Sequence, residues 1–224
     1  YYVFTNSANF TTPGAISYRI VDMSLAGNAV APTPPAGAGT TAANTPVAGL
    51  AATSEAMLVV PHANGTDFWL ITHVNGSANY NVTLFTSAGP TTTTTFTGLG
   101  LIELAANFSY HPGTGSIAVS PQESTRDVEI LDFDPATGGL TFQERVLNCG
   151  VASTTNQAVY DTEWSANGDF LYISRTGEAG IPADVLQYDL NNPATTLASI
   201  LPTPPAIANS YGLQMGPDST IYHI

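Results

Sequence analysis

Lysine is absent from this 224-residue sequence, and only four arginines oppose its 17 acidic residues, which gives a formal net charge of −13. A surface with that excess of negative charge repels phosphate groups, so binding to nucleic acids and to anionic membranes is disfavoured. Charged residues of both signs make up only 9% of the chain, well below the roughly 25% of ordinary soluble domains. Neutral polar side chains must therefore supply most of the contact with water.

Cysteine and long apolar runs are also scarce. Cys149 is the only cysteine, so no disulfide can form within the chain, and we expect its thiol to serve as a small buried apolar group. No apolar stretch approaches the roughly 20 residues that a membrane-spanning helix needs, and no signal peptide is visible. Because the sequence opens at Tyr1 without a methionine, we interpret it as a mature or excised segment.

Residues that form turns are abundant. The chain contains 20 glycines and 16 prolines, and threonine, serine and asparagine supply most of its polar side chains. These residues favour short strands joined by tight turns and disfavour long helices. Hydrophobic residues make up 43% of the chain, which is enough to form a core. The composition therefore predicts an all-β protein.

A repeated unit is the strongest signal in the sequence. Four times, a turn is followed by a strand of alternating apolar residues, as in Asn167–Ser174. The central apolar residues of these strands recur at intervals of 48, 54 and 50 residues: Trp69, Ile117, Leu171 and Ile221. A period of about fifty residues is typical of the four-stranded blades of a β-propeller.

Each unit divides into four short strands joined by hairpins, which is the arrangement of a propeller blade. We therefore predict a single β-propeller segment over residues 1–224, with four-stranded antiparallel blades, three complete and two partial. The predicted divisions are 1–30 (partial blade), 30–52 (a loop between blades, rich in Pro, Ala, Gly and Thr), 55–97, 103–146 and 159–201 (complete blades), and 210–224 (partial blade). Since the partial units at the two ends resemble the same strand pair, we expect the polypeptide to continue and to close a ring of six to eight blades.

Two segments resemble repeats of the YVTN and lactonase-type propellers. Residues 159–174 (VYDTEWSANGDFLYIS) are similar to an apolar strand followed by S-P-D-G and L-Y-V-S, and residues 131–140 (LDFDPATGGL) are similar to a D-x-x-T-G-x-L hairpin. A closer resemblance, through residues 20–25, 61–73 and 213–222, is to propeller regions of surface proteins secreted by gliding Bacteroidota. This resemblance implies export through the bacterial outer membrane and a role at the cell surface, often in adhesion. It transfers no catalytic position to this sequence.

Histidine and tryptophan supply the first candidate site residues. His73 ends a predicted strand that also contains Trp69, and the two side chains are candidates for binding a ligand such as a glycan. His62 and His111 fall in hairpins between the first and second strands of their blades. For these two histidines we expect a hydrogen bond that stabilises the turn and not a metal site.

Two pairs of acidic residues form the second group of candidates. Asp132 and Asp134 are two apart on a predicted strand and share one face, so they could bind Ca²⁺ or act as acid and base. The Pro-Ala-Thr-Gly-Gly that follows predicts a tight turn, in which aspartate commonly caps backbone amides, and this interpretation is the favoured one. Asp161 and Glu163 have the same spacing, and we interpret them in the same way. Apart from Ca²⁺ at Asp132 and Asp134, no cofactor is expected.

Signals for modification and catalysis are weak. Asp218-Ser-Thr220 resembles the short O-glycosylation motif of Bacteroidota, which would place a sugar on Ser219. The sequence has no G-x-S-x-G elbow, no phosphate-binding loop and no dinucleotide fingerprint. No catalytic residue is therefore predicted.

The preferred functional hypothesis is a non-enzymatic structural or adhesive module of a protein that is extracellular or on the cell surface. Its expected partners are other protein chains or surface glycans, and it could form a homo-oligomer or a filament. No nucleic acid and no membrane insertion are expected. The alternatives are a lactonase-like or glycan-cleaving enzyme with its site at the mouth of the propeller, and a glycan-binding module that uses exposed Trp69 or tyrosine side chains.

Overall fold

Strands form all the regular secondary structure in the described part of the chain. The computed structural model describes residues 1–8, 12–25, 27, 37–41, 44–100, 105–122, 127–147, 149, 159–176, 183–193, 197–200 and 211–223. Within these residues no helix is long and apolar enough to cross a membrane. The predicted all-β class is confirmed.

The strands form antiparallel blades in chain order. The strands of the first two blades are β1 (Tyr2–Asn6), β2 (Gly14–Asp22), β3 (Ala38–Gly39), β4 (Thr45–Pro61), β5 (Phe68–Val74), β6 (Tyr80–Thr86) and β7 (Gly89–Phe96). The third blade contains β8 (Ala106–His111), β9 (Ser116–Pro121), β10 (Val128–Asp134) and β11 (Gly139–Val146). The fourth contains β12 (Val159–Trp164), β13 (Phe170–Arg175), β14 (Asp184–Asp189) and β15 (Ala198–Ser199), and the fifth contains β16 (Leu213–Met215) and β17 (Ile221–His223).

Each blade is a meander in which neighbouring strands pair. The third blade has the order β11-β10-β9-β8 and the fourth has the order β12-β13-β14-β15. The first strands of successive blades, β4, β8, β12 and β16, contact one another in turn. These are therefore the innermost strands, around which the blades are arranged as in a propeller.

Register confirms the equivalence that the repeat predicted. In each blade the first strand pairs with the second through the predicted apolar residue. The four pairs are Val60↔Trp69, Tyr110↔Ile117, Trp164↔Leu171 and Met215↔Ile221. The sequence period thus reflects one structural position repeated in four blades.

The long strand β4 belongs to two blades. Its first half, from Thr45 to Thr53, pairs with β2 as the outer strand of the first blade, and its second half, from Met57 to Pro61, pairs with β5 as the innermost strand of the second. Near the end of the first half Ala52 has a φ of 59°, which turns the chain without ending the strand. The interpretation of residues 30–52 as a loop is therefore wrong for residues 45–52, whereas 28–36 and 42–43 lie outside the described residues.

Apolar side chains from facing blades form three separate cores. The first lies between the first and second blades and contains Ile16, Val47, Leu50, Leu70 and Phe85. The second lies between the second and third blades, and the third lies between the third and fourth. Because both faces of an inner blade pack on a neighbour, its strands are apolar on both sides.

Cys149 belongs to the third core. Its side chain is fully buried, and burial raises the pKa of the thiol to about 12. The sulfhydryl donates a hydrogen bond to the carbonyl of Val146, 3.1 Å away. The thiol is thus a buried neutral group, as expected.

The hairpin histidines cap their own turns. Nδ1 of His62 accepts a hydrogen bond from the backbone N–H of Asn64 at 2.9 Å, and Nδ1 of His111 accepts one from Thr114 at 3.1 Å. Nε2 of His111 lies 3.3 Å from the carbonyl oxygen of Ala166 in the next blade, so it must carry the proton. The predicted role of these two residues in turn stabilisation is confirmed.

Candidate active site

A polar cleft opens where the innermost strands meet. It has a volume of about 540 Å³. Its walls come from the innermost strands of the second to fifth blades: Leu58, Val59, Asn107, Phe108, Ser109, Tyr110, Asp161, Thr162, Glu163, Leu213, Gln214 and Met215. We call it the axial cleft.

Equivalent positions of the blades place different side chains at the same level of the axial cleft. The residues opposite Leu70, Ala118, Tyr172 and Tyr222 in the strand register are Val59, Ser109, Glu163 and Gln214. At this level the wall changes from apolar in the second blade to anionic in the fourth. Because the backbone is alike in each blade, the side chain alone determines the chemistry at each position.

Asp161 projects from β12 into the axial cleft. Its Oδ2 accepts a hydrogen bond from the backbone N–H of Leu213 at 3.0 Å, and its Oδ1 accepts one from the N–H of Thr162 at 2.8 Å. Burial raises the pKa of the carboxyl, the two amide hydrogen bonds lower it, and the nearby Glu163 raises it further, with a net rise. A carboxylate with a raised pKa is a stronger base than free aspartate.

Glu163 lies on the same face of β12 as Asp161. Its Oε2 accepts a hydrogen bond from the N–H of Met215 at 2.9 Å, and its Oε1 accepts one from Trp164 at 2.9 Å. Both carboxylates therefore connect the fourth blade to the fifth. Each carboxylate oxygen has two lone-pair sites. Because each oxygen accepts only one hydrogen bond from a backbone N–H, it can also accept one from water or from a substrate hydroxyl.

The two carboxylates determine which reactions the axial cleft could catalyse. Paired carboxylates can transfer protons to and from a bound water. The cleft also contains neutral hydrogen-bonding groups, the hydroxyl of Ser109 and the exposed amide of Gln214. This arrangement suits general acid–base hydrolysis of a polar, uncharged group.

The sequence shows the spacing of Asp161 and Glu163, but spacing alone does not identify them as the site. Asp132 and Asp134 have the same spacing as Asp161 and Glu163, and only the place of each pair in its blade distinguishes them. The first pair lies on the third strand of a blade and the second on the innermost strand. The repeat itself contained the signal that could have found the site, because a residue's position in the repeat predicts its distance from the axis.

Asp132 and Asp134 lie away from the axial cleft and are exposed. Asp134 caps the following turn: its carboxylate accepts hydrogen bonds from the N–H of Ala136 at 2.9 Å and the hydroxyl of Thr137 at 2.6 Å. These bonds, from Thr137 first, lower the pKa of the Asp134 carboxyl. Among the described residues no three His, Cys, Asp or Glu side chains converge as metal ligands, and Ca²⁺ binding by this pair stays a prediction.

Trp69 is committed to packing between blades. Only 8% of the residue is exposed, and its indole N–H donates to the carbonyl of Pro135 in the third blade at 2.9 Å. One ring face stacks on His62 with centroids 5.2 Å apart. The hypothesis of a glycan-binding module that uses an exposed Trp69 is therefore wrong, because the ring lacks an exposed face.

His73 is fully buried and lies outside the axial cleft. Its Nε2 donates to the carbonyl of Gly100 at 3.1 Å, and its ring meets Tyr80 edge-on at 4.5 Å. Burial lowers the pKa of the imidazole to about 4, against the effect of the Gly100 hydrogen bond. The ligand-binding role predicted for this residue stays a prediction that its burial does not favour.

Ser219 lies exposed in the hairpin between β16 and β17, with a φ of 60°. Its backbone N–H donates to the carbonyl of Gly216 at 3.0 Å. The side chain is accessible, and its glycosylation stays a prediction.

Comparison with solved structures relates the chain to known propellers. It is similar to a Bacteroides uniformis protein provisionally named a 6-phosphogluconolactonase, with 13% identity and a TM-score of 0.59, covering 99% of this chain and 60% of that one. A Lactobacillus plantarum protein gives 13% identity, a TM-score of 0.57 and the same coverage. The periplasmic gluconolactonase of Pseudomonas aeruginosa gives 10% identity, a TM-score of 0.57, and coverage of 99% of this chain and 59% of that one.

The fold is that of a β-propeller. The chain spans about three fifths of the length of these propellers. No protein-family model matches the sequence, and no curated protein matches it. At identities of 10 to 13% the comparison shows the propeller fold, and it identifies neither a substrate nor a catalytic residue of this chain.

The comparison also corrects the preferred functional hypothesis. A non-enzymatic structural or adhesive module was expected, but two of the similar propellers have the names of lactonases. The resemblance that suggested adhesion rested on strand and turn motifs, which determine the blade and not its chemistry. The expectation that the chain is not an enzyme was wrong for the same reason.

Proposed function

We propose that this propeller is a lactone hydrolase whose site is the axial cleft. The observation that carries the proposal is the pair Asp161 and Glu163, which project from an innermost strand into that cleft. The names of the similar propellers, a 6-phosphogluconolactonase and a gluconolactonase, support the same reaction class. The activity belongs to the whole propeller, of which these blades supply the carboxylates.

The chemistry needs one water and one base. Asp161 takes a proton from a water molecule while the water oxygen forms a bond to the lactone carbonyl carbon. The tetrahedral intermediate collapses, the bond from that carbon to the ring oxygen breaks, and the ring oxygen takes the proton back from Asp161. The product is an open-chain hydroxy acid, which loses its acidic proton to solvent near neutral pH.

Other groups of the cleft hold the substrate during these steps. The carboxylate of Glu163 accepts hydrogen bonds from sugar hydroxyls, and the amide of Gln214 offers N–H donors to the carbonyl oxygen, where negative charge develops. The amide hydrogen bonds from Leu213 and Thr162 hold the Asp161 carboxylate in place. Fixed orientation of the base contributes to catalysis because little reorganisation is then needed.

The proposal is tested by measuring lactone hydrolysis with a pH-stat, using glucono-δ-lactone as the probe and subtracting its spontaneous rate. Asp161→Asn removes the base but keeps one side-chain oxygen, which can still accept a hydrogen bond from a backbone N–H. We therefore expect kcat to fall by about 10²–10⁴-fold. Asp132→Asn is the matched control, since it neutralises an exposed aspartate on the third strand of its blade, away from the axial cleft, and it should leave kcat unchanged.

Circular dichroism in the near ultraviolet establishes that the Asp161→Asn protein is folded. A folded Asp161→Asn protein with wild-type kcat would overturn the proposed role of Asp161. Absence of hydrolysis above the spontaneous rate in the wild-type protein would overturn the proposed function itself.

We also propose that the protein acts outside the cytoplasm. The support is one similar propeller that is described as periplasmic. More specifically, we propose an extracellular or cell-surface location, with export as in the surface proteins of gliding Bacteroidota. Fractionation of cells that express the intact protein tests it, and recovery in the cytoplasmic fraction would contradict it.

A further inference from the structure

The axial cleft is anionic and has no compensating cation on its described walls. Asp161 and Glu163 are its charged residues, and none of the described innermost strands contains an arginine or a lysine. Since the chain has a net charge of −13, the field of the surrounding protein adds to the local negative potential.

The arginines that the structure describes lie outside the wall of the axial cleft. Arg145 on β11 forms an ion pair with Glu129, and Arg175 at the end of β13 forms one with Asp184. Arg19 lies on β2, the third strand of its blade, opposite Val3. None of these three guanidinium groups belongs to a residue of the cleft wall.

A phosphorylated substrate needs cationic groups that the described walls of this cleft lack. Phosphate sites in proteins use arginine, lysine or rows of backbone N–H groups, and a dianion beside two carboxylates is repelled. An uncharged polyol instead needs hydrogen-bond acceptors and donors, which the carboxylates, Ser109 and Gln214 provide. The apolar side chains of Leu58 and Val59 suit the C–H face of a sugar ring.

We infer that the substrate is an uncharged sugar lactone and that the axial cleft discriminates against its phosphorylated counterpart by charge. This inference rests on the proposed lactone hydrolysis. The same charge acts after the reaction, because hydrolysis turns a neutral lactone into a carboxylate. Repulsion by Asp161 and Glu163 then favours release of the anionic product.

The test compares glucono-δ-lactone with 6-phosphoglucono-δ-lactone on the intact protein at low and high ionic strength. We expect kcat/KM for the neutral lactone to exceed that for the phosphorylated one by about ten-fold or more at low salt. The ratio should fall towards one as salt screens the repulsion.

A charge added to the cleft wall gives a sharper test. Val59 is 45% exposed and lies at the same level of the cleft as Glu163, so Val59→Arg introduces a cation beside the substrate. The phosphorylated-to-neutral ratio of kcat/KM should rise several-fold in this variant. Phe142→Arg is the matched control: Phe142 is 46% exposed on the outer strand β11, and its replacement adds the same charge away from the cleft.

The outcomes separate this inference from the proposed function. Hydrolysis of both lactones with an equal or higher kcat/KM for the phosphorylated one would overturn the inference and leave lactone hydrolysis standing. A ratio that responds equally to Val59→Arg and Phe142→Arg, or to neither, would also overturn it. Hydrolysis of neither lactone would overturn the proposed function.

Discussion

The carboxylate of Asp161 accepts a hydrogen bond from the backbone N–H of Leu213, 3.0 Å away in the next blade. Two residues along each strand, Glu163 accepts an equivalent bond from Met215 at 2.9 Å. In the third blade Asn107, at the position of Asp161, donates to the carbonyl of Tyr160 at 2.9 Å. Side chains at equivalent repeat positions thus form hydrogen bonds between successive innermost strands. In the fourth blade the side chains that form these bonds, Asp161 and Glu163, are also the residues proposed to act in the site.

The first prediction concerns the acidic limb of the pH–rate profile. Because Asp161 must be ionised to act as base, kcat/KM should fall as pH drops through its raised pKa. The negative charge of Glu163 contributes to that rise, so Glu163→Gln lowers the pKa of Asp161. The midpoint of the limb should therefore move to lower pH.

A pH-stat series with glucono-δ-lactone measures this shift. Asp132→Asn, which removes an exposed charge from the third strand of its blade, should leave the midpoint where it is in the wild-type protein. A midpoint that stays fixed in Glu163→Gln would show that the limb belongs to another group.

The second prediction concerns stability in acid. His73 is buried with a pKa of about 4, whereas an unfolded histidine has a pKa of about 6.5. Between these values the unfolded state binds more protons than the folded one, so the free energy of unfolding falls as pH drops from about 6.5 to about 4, by up to about 3 kcal/mol from this residue.

Denaturant unfolding at a series of pH values tests this dependence. His73→Phe should flatten the slope between these two pH values, even if the variant is less stable throughout because it loses the hydrogen bond to Gly100. His62→Phe, at a partly exposed hairpin residue, is the control and should retain the slope. An unchanged slope in His73→Phe would mean that other groups cause the acid sensitivity.

The third prediction concerns two glycines with the same backbone conformation. Gly138 has a φ of +76° and Gly65 a φ of +75°, so alanine is strained at both, by about 1 kcal/mol. A Cβ at Gly138 would lie 2.7 Å from the ring of Trp69, whereas a Cβ at Gly65 would meet nothing within 4 Å. Gly138→Ala should therefore destabilise the protein by more than Gly65→Ala, by roughly a further 1–3 kcal/mol.

Thermal and denaturant unfolding of the two variants measures the difference. Subtracting the Gly65→Ala value removes the backbone contribution and leaves the cost of the contact with Trp69. Equal losses in the two variants would mean that the third blade can move away from the indole ring at no cost.

The fourth prediction compares two tyrosine hydroxyls. The hydroxyl of Tyr80 is buried without a hydrogen-bond partner among the described residues, so Tyr80→Phe removes an unsatisfied group. The hydroxyl of Tyr188 donates to Oε2 of Glu144 at 3.2 Å, and Tyr188→Phe removes that bond. We expect Tyr80→Phe to be neutral or stabilising and Tyr188→Phe to cost about 1 kcal/mol.

Chemical denaturation of both variants gives the two values. A loss of stability in Tyr80→Phe equal to that in Tyr188→Phe would show that the Tyr80 hydroxyl is satisfied in solution.

Much of the fold could be predicted because the repeat is expressed in local signals. The turn before Phe170 and the alternating apolar residues after it are short-range features, and they placed the second strand of each blade correctly. The strand over residues 45–52 was missed because its local composition resembles a loop. Only Val47 and Leu50 are large and apolar in it, and they are buried by Ile16 and Phe85, which are distant in sequence.

The site could be predicted only in part, for a different physical reason. Spacing along a strand shows that two carboxylates share a face, and it does not show what lies opposite. Asp134 faces its own turn and Asp161 faces the next blade, a difference that comes from the stacking of blades. Similarly, Trp69 is of a residue type that often binds ligands, but packing against the third blade removes its ring from solvent.

The strand that passes from the first blade into the second has a mechanical consequence. Residues Thr45 to Thr53 form the outer strand of one blade, and Met57 to Pro61 form the innermost strand of the next. No loop separates them, because β4 is continuous. Pulling the first blade away therefore applies force directly to Leu58 and Val59 in the axial cleft. In amide hydrogen exchange these two blades should open together, as one cooperative unit, while the later blades open independently.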